Sequence, residues 1–224
     1  MRKAFYHRQA TLENKSNGKH QNSSTYFVFL LLLSTFAYLL RKLTLINMLT
    51  ITNNHTLFLD RDGVINKNID GSYVLDWAQF EFMPGVLETL PKLAALFPRI
   101  IIVTNQQCIA KGLITPEKLE DIHQKMRNVV ELNGGRIDAV YYAPDLAAPD
   151  NNLRKPNNGM ALWAQTDFPQ IVFSRSVMVG DKISDMQFGK SVGMKTICLS
   201  TNYKENEFTD YTIKQFGELL NIFQ

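Results

Sequence analysis

Residues 99–104, with the sequence Arg-Ile-Ile-Ile-Val-Thr, are the feature that most restricts what this chain can fold into. An unbroken run of β-branched residues is typical of a strand that is covered on both faces, because neither face alternates with polar residues. Such strands belong to parallel sheets, and parallel strands need crossover connections that are usually helices. The segment therefore predicts an α/β fold, with a parallel sheet flanked by helices.

The chain from Thr56 onward repeats this pattern of apolar strands and helical periods. The other predicted strands cover residues 56–60, 136–142, 176–180 and 195–199. The predicted helices begin at Pro84-Gly85, Thr115, Met160 and Ser184, and a closing helix is expected over residues 212–223. This alternation predicts βα units around a parallel sheet.

The formal charge of +3 is distributed unevenly along the 224 residues. Residues 1–47 contain seven lysines and arginines against one acidic residue, Glu13, a net charge of +6 that leaves −3 for residues 48–224. A mildly acidic domain lacks the basic face that nucleic-acid binding requires, so no nucleic-acid partner is expected. The two cysteines, Cys108 and Cys198, lack the spacing of a disulfide framework or a thiolate zinc site.

Residues 26–40 form an apolar run of fifteen residues that is closed by Arg41-Lys42. A helix needs about 20 residues to cross a membrane, and no small-residue cleavage site of a signal peptide follows the run. Met48 stands just before the first predicted strand, so a domain of residues 48–224 could begin there.

Three interpretations of residues 1–47 stay open: an extension upstream of the natural start, a membrane anchor, and a secretory signal. We favour the first, which predicts a cytoplasmic protein. Contact with a membrane is expected only if residues 26–40 are a genuine anchor.

Asp60 and Asp62 follow the first predicted strand, one residue apart and just before Gly63. Side chains at positions i and i+2 of an extended strand point to the same side, so both carboxylates can face one site. A calcium loop of the EF-hand type is excluded by its fifth and twelfth positions, which are Val64 and Gly71. A plain turn remains an alternative on this motif alone; the chemical interpretation is a nucleophile beside a proton carrier.

Three more polar clusters follow predicted strands or lie in the long loop of residues 143–159. They are Thr104-Asn105-Gln106, Arg154-Lys155-Pro156 and Gly180-Asp181-Lys182. In open parallel sheets, ligands bind at the carboxyl ends of the strands. We therefore expect these clusters to meet Asp60 and Asp62 at one edge of the sheet.

In these clusters the chain resembles the haloacid dehalogenase superfamily of phosphatases. The ordered motifs of that superfamily are matched by Asp60-x-Asp62-Gly63, Thr104, Lys155 and Gly180-Asp181-x-x-x-Asp185. The resemblance implies a Rossmann-like fold with a minimal cap domain or none, because few residues separate the motifs. It also implies that Asp60 attacks phosphorus to form an aspartyl-phosphate, while Asp62 acts as acid and then base. Asp185 would orient Lys155 or the acidic pair.

The same resemblance implies how the charge of the phosphate is neutralised. Mg²⁺ would be held by Asp60, Asp181 and the backbone carbonyl of Asp62, since hard oxygen ligands suit this cation. Thr104 and Lys155 would donate to the phosphoryl oxygens.

A narrower resemblance is to the D-glycero-D-manno-heptose 1,7-bisphosphate phosphatases and the related histidinol-phosphatases. It rests on residues 58–66, Phe82-x-Pro84-Gly85, residues 103–106, Ile109-Ala110-x-Gly112, Arg154-Lys155-Pro156 and Gly159-Met160. It implies that the substrate is contacted by Arg154, Asn105, Gln106, Lys182, Asp70 and Tyr73.

These phosphatases commonly hold a structural zinc ion with Cys-x-His and Cys-x-Cys motifs ahead of the Arg-Lys-Pro segment. The corresponding residues here are 143–145 (Ala-Pro-Asp) and 151–153 (Asn-Asn-Leu), which offer neither thiolate nor imidazole. We therefore expect Mg²⁺ as the cofactor and no structural zinc.

The sequence thus predicts a monomeric, Mg²⁺-dependent hydrolase of phosphoric monoesters whose partner is a phosphorylated sugar. The principal hypothesis is removal of the 7-phosphate from D-glycero-D-manno-heptose 1,7-bisphosphate, and the alternative within the same chemistry is hydrolysis of histidinol phosphate. A membrane-tethered, non-catalytic binding protein with this fold is a third hypothesis, which the complete set of motif residues argues against. A DNA-end phosphatase is disfavoured by the acidic domain.

Overall fold

The computed structural model describes residues 28–30, 32–33, 48–147, 153–202 and 206–223. The chain forms two compact units, Met1–Met48 and Leu49–Gln224. In the first unit, the described residues 28–30 and 32–33 are helical and exposed. The rest of the predicted extension 1–47, with most of the apolar run 26–40, lies outside the described residues. Across the described ranges, no helix combines the length and apolar character needed to cross a bilayer.

A six-stranded sheet is the framework of the second unit. Its strands are β1 (Thr56–Leu59), β2 (Arg99–Asn105), β3 (Ala139–Ala143), β4 (Ser176–Gly180), β5 (Lys195–Leu199) and β6 (Tyr211–Ile213). All neighbouring pairs are parallel, in the order β3-β2-β1-β4-β5-β6. The order of addition reverses between β1 and β4, and a crevice forms at the carboxyl ends of strands at such a point.

In the described part of the second unit, four α-helices cover the two faces of the sheet: α1 (Val86–Leu96), α2 (Pro116–Leu132), α3 (Gly159–Asp167) and α4 (Ile183–Ser191). Successive residues of a strand point to opposite faces. Leu57 and Leu59 of β1 therefore pack in one core cluster with α1 and α2, whereas Phe58 packs in a second cluster with α3 and α4. Residues 100–103 of β2 have no exposed surface, which confirms the prediction of a strand covered on both faces.

The third strand begins at Ala139, three residues later than the predicted start. Arg136 donates to the backbone carbonyl of Phe97 at 2.7 Å, and the Asp138 carboxylate accepts from the backbone N–H of Ile100 at 2.7 Å. Together with the backbone hydrogen bond from Asp138 N–H to the Ile100 carbonyl at 2.8 Å, these side-chain contacts hold residues 136–138 beside the start of β2.

The prediction of a closing helix over residues 212–223 is wrong. Tyr211–Ile213 instead forms the edge strand β6 on β5, and the chain then makes a 3₁₀ helix over Phe216–Asn221. Pairing with the sheet edge satisfies backbone groups that a helix would have used, and Phe216 and Leu219 bury their side chains from the shorter turn. The described residues of Leu49–Gln224 form no separate cap domain, since this unit is not divided further.

We expect Gly189→Ala to destabilise the protein, because α4 approaches the sheet closely at this residue. A Cβ atom at Gly189 would lie 2.8 Å from Thr196 Cγ2 and 2.9 Å from Met178 Cβ. Overpacking of this kind costs ~1–3 kcal/mol of unfolding free energy, which denaturant titration measures. Gly217→Ala is the matched control, since its nearest neighbour would be Thr89 Oγ1 at 3.6 Å. Equal stability of the two variants would contradict the close approach.

Candidate active site

The structure brings most of the predicted site residues together in a cavity of about 370 Å³. The cavity lies at the carboxyl ends of β1, β2 and β4, beside the loop that precedes α3. The predicted residues that line it are Asp60, Asp62, Tyr73, Thr104, Asn105, Arg154, Lys155 and Lys182. Their convergence follows from the parallel sheet, which collects these strand ends at one edge, while their individual roles stay predictions.

Asp60 sits at the end of the central strand and is 4% exposed. Its Oδ1 accepts a hydrogen bond from the backbone N–H of Arg61 and forms an ion pair with Lys155 Nζ, both at 2.8 Å. Burial raises the pKa of Asp60 to about 7; Lys155 opposes this rise, while the carboxylates of Asp185 and Asp181 add to it. The carboxylate is thus oriented by two donors and sits where negative charge is crowded.

Lys155 is the buried counter-charge of this site. Its Nζ donates to the backbone carbonyl of Val103 at 2.8 Å and lies 2.8 Å from Asp60 Oδ1 and 2.6 Å from Asp185 Oδ1. Burial would lower the pKa of Lys155, but the two carboxylates raise it above the ordinary value. Lys155 is therefore a fixed ammonium ion on the floor of the cavity.

Asn105 fastens the backbone of Lys155 to the end of β2. The Asn105 Nδ2 donates to the Lys155 carbonyl at 3.1 Å, and the Lys155 N–H donates to Asn105 Oδ1 at 3.0 Å. Both polar atoms of the amide are thus engaged by the loop. Asn105 lines the cavity, and its amide also holds the backbone of Lys155 in place. The substrate contact of Asn105 stays a prediction.

Asp62 belongs to a different network from Asp60. Its carboxylate accepts from Arg61 Nη2 at 2.8 and 2.9 Å, from Asn66 Nδ2 at 2.9 Å and from Gln106 Nε2 at 2.8 Å. Burial alone would raise the pKa of Asp62, but the Arg61 guanidinium and these hydrogen bonds hold it below the ordinary value. Two carboxylates one residue apart therefore have opposite pKa shifts.

Two predicted substrate contacts are not brought to the wall of the cavity. Gln106 is buried, and its Nε2 donates to Asp62 and, at 2.9 Å, to Thr104 Oγ1. Asp70 is exposed and is not among the described residues that line the cavity. In this structure Gln106 acts on Asp62 because its amide is turned inwards from the end of β2.

Three carboxylates form a group that can hold a metal ion. Oxygen atoms of Asp60, Asp181 and Asp185 lie within 4.8 Å of one another. Burial raises the pKa of Asp181, with Lys182 opposing and Asp185 adding to the rise, and Asp181 Oδ1 is buried without a hydrogen-bond partner among the described residues. An unpartnered oxygen in a cluster of hard ligands fits a divalent cation such as Mg²⁺. Asp185, predicted only to orient its neighbours, is part of this cluster.

Gly63 allows the turn after Asp62 to approach Asp181. Its φ angle is +94°, a left-handed conformation that favours glycine, and a Cβ atom there would collide with the Asp181 carboxylate and with Asn68 Nδ2. Asn68 Nδ2 donates to Asp181 Oδ2 at 3.1 Å. The glycine therefore allows the turn that follows β1 to lie against Asp181, which follows β4, so that carboxylates from both segments meet.

Tyr73 lines the outer part of the cavity and is held by two donors. Its hydroxyl oxygen accepts from Gln107 Nε2 and Lys111 Nζ, both at 2.7 Å, and the hydrogen bond from Lys111 is the main reason that its pKa is lowered. Arg154 and Lys182 line the same cavity, which gives this acidic site two cationic side chains in addition to Lys155.

Sequence reasoning missed the partners of Asp62. Arg61 has no exposed surface, although it lies between two acidic residues, and its Nη1 is 3.0 Å from Nε2 of the fully buried His123. The available signal was a histidine on the apolar face of α2, next to Ile122 and three residues before Met126. The position of His123 in the sequence could not identify Arg61 as its hydrogen-bond partner, because 62 residues separate the two.

Comparison with known families gives one match along most of the domain. The family model described as "Polynucleotide kinase 3 phosphatase" matches residues 54–218. This range includes every residue described above as lining the cavity or forming the acidic cluster.

Curated proteins with sequences similar to this chain include bacterial sugar phosphatases. A D-glycero-alpha-D-manno-heptose-1,7-bisphosphate 7-phosphatase of Mycobacterium bovis is 38% identical over 136 residues, covering 61% of this chain and 72% of the relative. A D-glycero-beta-D-manno-heptose-1,7-bisphosphate 7-phosphatase of Vibrio cholerae is 39% identical over 147 residues, covering 62% and 77%.

Solved structures share the fold. A D,D-heptose 1,7-bisphosphate phosphatase from B. bronchiseptica, complexed with magnesium and phosphate, has a TM-score of 0.67 at 24% identity and covers 75% of this chain and 96% of its own. A putative HAD-like phosphatase from Mesorhizobium loti has a TM-score of 0.62 at 27% identity, covering 78% and 86%. The chain therefore belongs to the haloacid dehalogenase superfamily of phosphatases, in the polynucleotide kinase 3 phosphatase family and together with the heptose bisphosphate phosphatases that it resembles.

Proposed function

We propose that this protein is a Mg²⁺-dependent phosphatase that removes the 7-phosphate of D-glycero-D-manno-heptose 1,7-bisphosphate through an aspartyl-phosphate on Asp60. The observation that carries the proposal is the position of Asp60 at the end of β1, between Lys155 at 2.8 Å and an acidic cluster with Asp181. The substrate rests on the relatives named for this reaction, which match at 38 and 39% identity.

Asp60 is the nucleophile in this mechanism. Its carboxylate attacks phosphorus, the ester oxygen leaves, and the resulting aspartyl-phosphate is cleaved by water to free phosphate and the original carboxylate. The two donors on Asp60 Oδ1 orient the carboxylate before the substrate arrives. Lys155 and the backbone N–H of Arg61 supply these donors.

Asp62 moves the protons. It protonates the leaving alkoxide in the first step and takes a proton from the attacking water in the second, so its protonation state is restored after each turnover. Its lowered pKa makes the ionised form, the base, the resting state. Asp62 must therefore gain a proton before the first step, when a bound phosphate adds negative charge beside it.

Thr104 and Lys155 bind the phosphoryl oxygens. Thr104 Oγ1 accepts from Gln106 Nε2, so its own hydroxyl hydrogen is left to donate to the substrate. Asp60, Asp181 and the backbone carbonyl of Asp62 would hold Mg²⁺, and Asp185 lies within the same cluster. When bound, the cation would neutralise charge on the phosphoryl group and on the nucleophile.

The remainder of the substrate would lie against Arg154, Lys182, Asn105 and Tyr73. A second phosphate on the sugar would meet the cationic side chains of Arg154 and Lys182 at the cavity wall. The absence of structural zinc, action as a monomer and a cytoplasmic location remain predictions, since residues 148–152 and most of 1–47 lie outside the described residues.

The full chain with Mg²⁺ should release phosphate from heptose 1,7-bisphosphate with a higher kcat/KM than from histidinol phosphate or a 3′-phosphorylated oligonucleotide. Phosphate release from each compound, assayed for both heptose anomers, is the measurement. A preference for histidinol phosphate would show that the proposed substrate is wrong, and a preference for the oligonucleotide would show that the proposed substrate class is wrong. If no phosphate is released from any of these compounds, the proposal that the protein is a phosphatase is refuted.

Asp60→Asn should lower kcat by more than about 1,000-fold, because the amide cannot form the acyl-phosphate. The measurement is steady-state phosphate release, together with acid-quenched detection of the phosphoenzyme. Asp121→Asn is the control: this exposed carboxylate on α2 pairs with Lys125, and its loss should leave kcat unchanged. Turnover by Asp60→Asn at the wild-type rate would remove the nucleophile assignment.

Mg²⁺ should raise the melting temperature of the wild-type protein, because the acidic cluster binds it only when folded. At a concentration about 100 times its dissociation constant, a ligand adds ~2.7 kcal/mol of unfolding free energy. Asp181→Asn should lose most of this gain, whereas Asp121→Asn should keep it. An equal Mg²⁺-induced shift in Asp181→Asn would place the cation elsewhere.

A further inference from the structure

The Arg61 side chain is fully buried and divides its donors between two partners. Nη2 donates to both carboxylate oxygens of Asp62 at 2.8 and 2.9 Å, with Nε 3.3 Å from Oδ1. Nη1 points the other way and lies 3.0 Å from Nε2 of His123. The guanidinium is planar and rigid, so the contact on one edge fixes the orientation of the other.

The hydrogen bond of the His123 ring is made with Arg61. Its Nδ1 has no hydrogen-bond partner among the described residues, and the Glu120 carboxylate is 3.9 Å away. An arginine only donates, so Nε2 must be the acceptor and the neutral ring carries its hydrogen on Nδ1. Burial, and then the charge of Arg61, lower the pKa of His123 to about 3, which keeps the ring neutral.

We infer that His123 is a positioning residue for Asp62, acting through the hydrogen bond that it accepts from Arg61. The inference rests on the proposed function in assigning proton transfer to Asp62. Without the acceptor, a charged and fully buried N–H group loses its partner and the guanidinium turns to find another. Because the same guanidinium binds both oxygens of Asp62, the turn moves the carboxylate that Asn66 and Gln106 then hold alone.

A purely structural role for His123 makes a different prediction. The ring is packed on the apolar face of α2 with Ile122 and Met126, so a buried side chain of similar size would serve the core equally well. An acceptor at the position of Nε2 is needed only if Arg61 must be held. Variants that keep or remove that atom separate the two roles.

Three variants and one control suffice. His123→Gln places an amide oxygen near the position of Nε2, His123→Asn carries the same group but falls short of Arg61, and His123→Leu has no acceptor. Met126→Ala is the control for lost packing, because Met126 is a fully buried, apolar residue one turn along the same helix.

Two substrates distinguish misplacement of Asp62 from loss of folded enzyme. The sugar bisphosphate needs a proton on its leaving alkoxide, whereas p-nitrophenyl phosphate has a leaving group that departs without one. In His123→Leu and His123→Asn, kcat for the sugar should fall about 10- to 100-fold with little change in KM. With the aryl substrate only the second step is slowed, so the phosphoenzyme accumulates and nitrophenolate appears as a burst.

His123→Gln should retain kcat within about threefold and show no burst, which is rescue by a conserved acceptor. Met126→Ala should lower the melting temperature without a burst. Wild-type kcat in both His123→Leu and His123→Asn would overturn the inference. An equal loss of kcat on both substrates without a burst, in all three His123 variants, would overturn it as well.

Magnetic resonance tests the inference without any substrate. In the wild-type protein, ¹⁵N spectra should show His123 protonated at Nδ1 and accepting at Nε2; His123→Gln identifies its signals among those of the four histidines. The ¹³Cγ signal of Asp62 should shift in His123→Asn and stay in place in His123→Gln. Protonation at Nε2, or an unmoved Asp62 signal in His123→Asn, would overturn the inference. Failure of the wild-type protein to hydrolyse any phosphoester would refute the proposed function alone.

Discussion

The ion pairs of Lys155 are the interaction on which the rest of the site depends. Three carboxylates gather at the carboxyl ends of β1 and β4, and burying them together is unfavourable unless a cation compensates. Lys155 brings that charge from a distant loop and contacts Asp60 and Asp185 at the same time. Removing one partner of a buried pair typically costs 3–5 kcal/mol, because the remaining charge is left uncompensated. The loop is in turn fastened to β2 by Asn105, so the sheet, the loop and the charge balance of the site are interdependent.

Asp60 and Asp62 show how one turn gives two carboxylates different chemistry. Burial, with a contribution from neighbouring carboxylates, raises the pKa of Asp60, whereas the Arg61 guanidinium and hydrogen bonds lower the pKa of Asp62. Opposite pKa shifts in neighbouring groups are a common way in which active sites separate acid, base and nucleophilic roles, and they support the roles proposed for Asp60 and Asp62. Arg61 and Gln106 lower the pKa of Asp62 without lining the cavity.

The sequence supported prediction of the parts of the molecule that obey local rules. The β-branched run at 99–104 identified a strand covered on both faces, and the polar residues after β1, β2 and β4 were expected to converge because parallel strands end at one edge. The prediction of a closing helix failed because a distant partner decides the outcome: β6 forms because β5 offers an open edge to residues with a helical pattern. A distant partner also turns the Gln106 amide inwards, because Asp62 offers an acceptor. The contact between Arg61 and His123 has the same origin, since it requires α2 to pack beside the β1 turn.

The strand order also bears on when this site comes into existence. β1 is made early in synthesis, but its neighbour β4 begins 120 residues later, with Thr56 aligned to Ser176. Parallel pairing over such a separation is slow, because the entropy of closing a long loop is lost before the contacts between the strands stabilise the pair. Until then the central strand has one open edge, and Asp60 lacks Asp181, which follows β4. A nascent or truncated chain that ends before β4 therefore exposes the edge of an apolar strand, which is prone to aggregate.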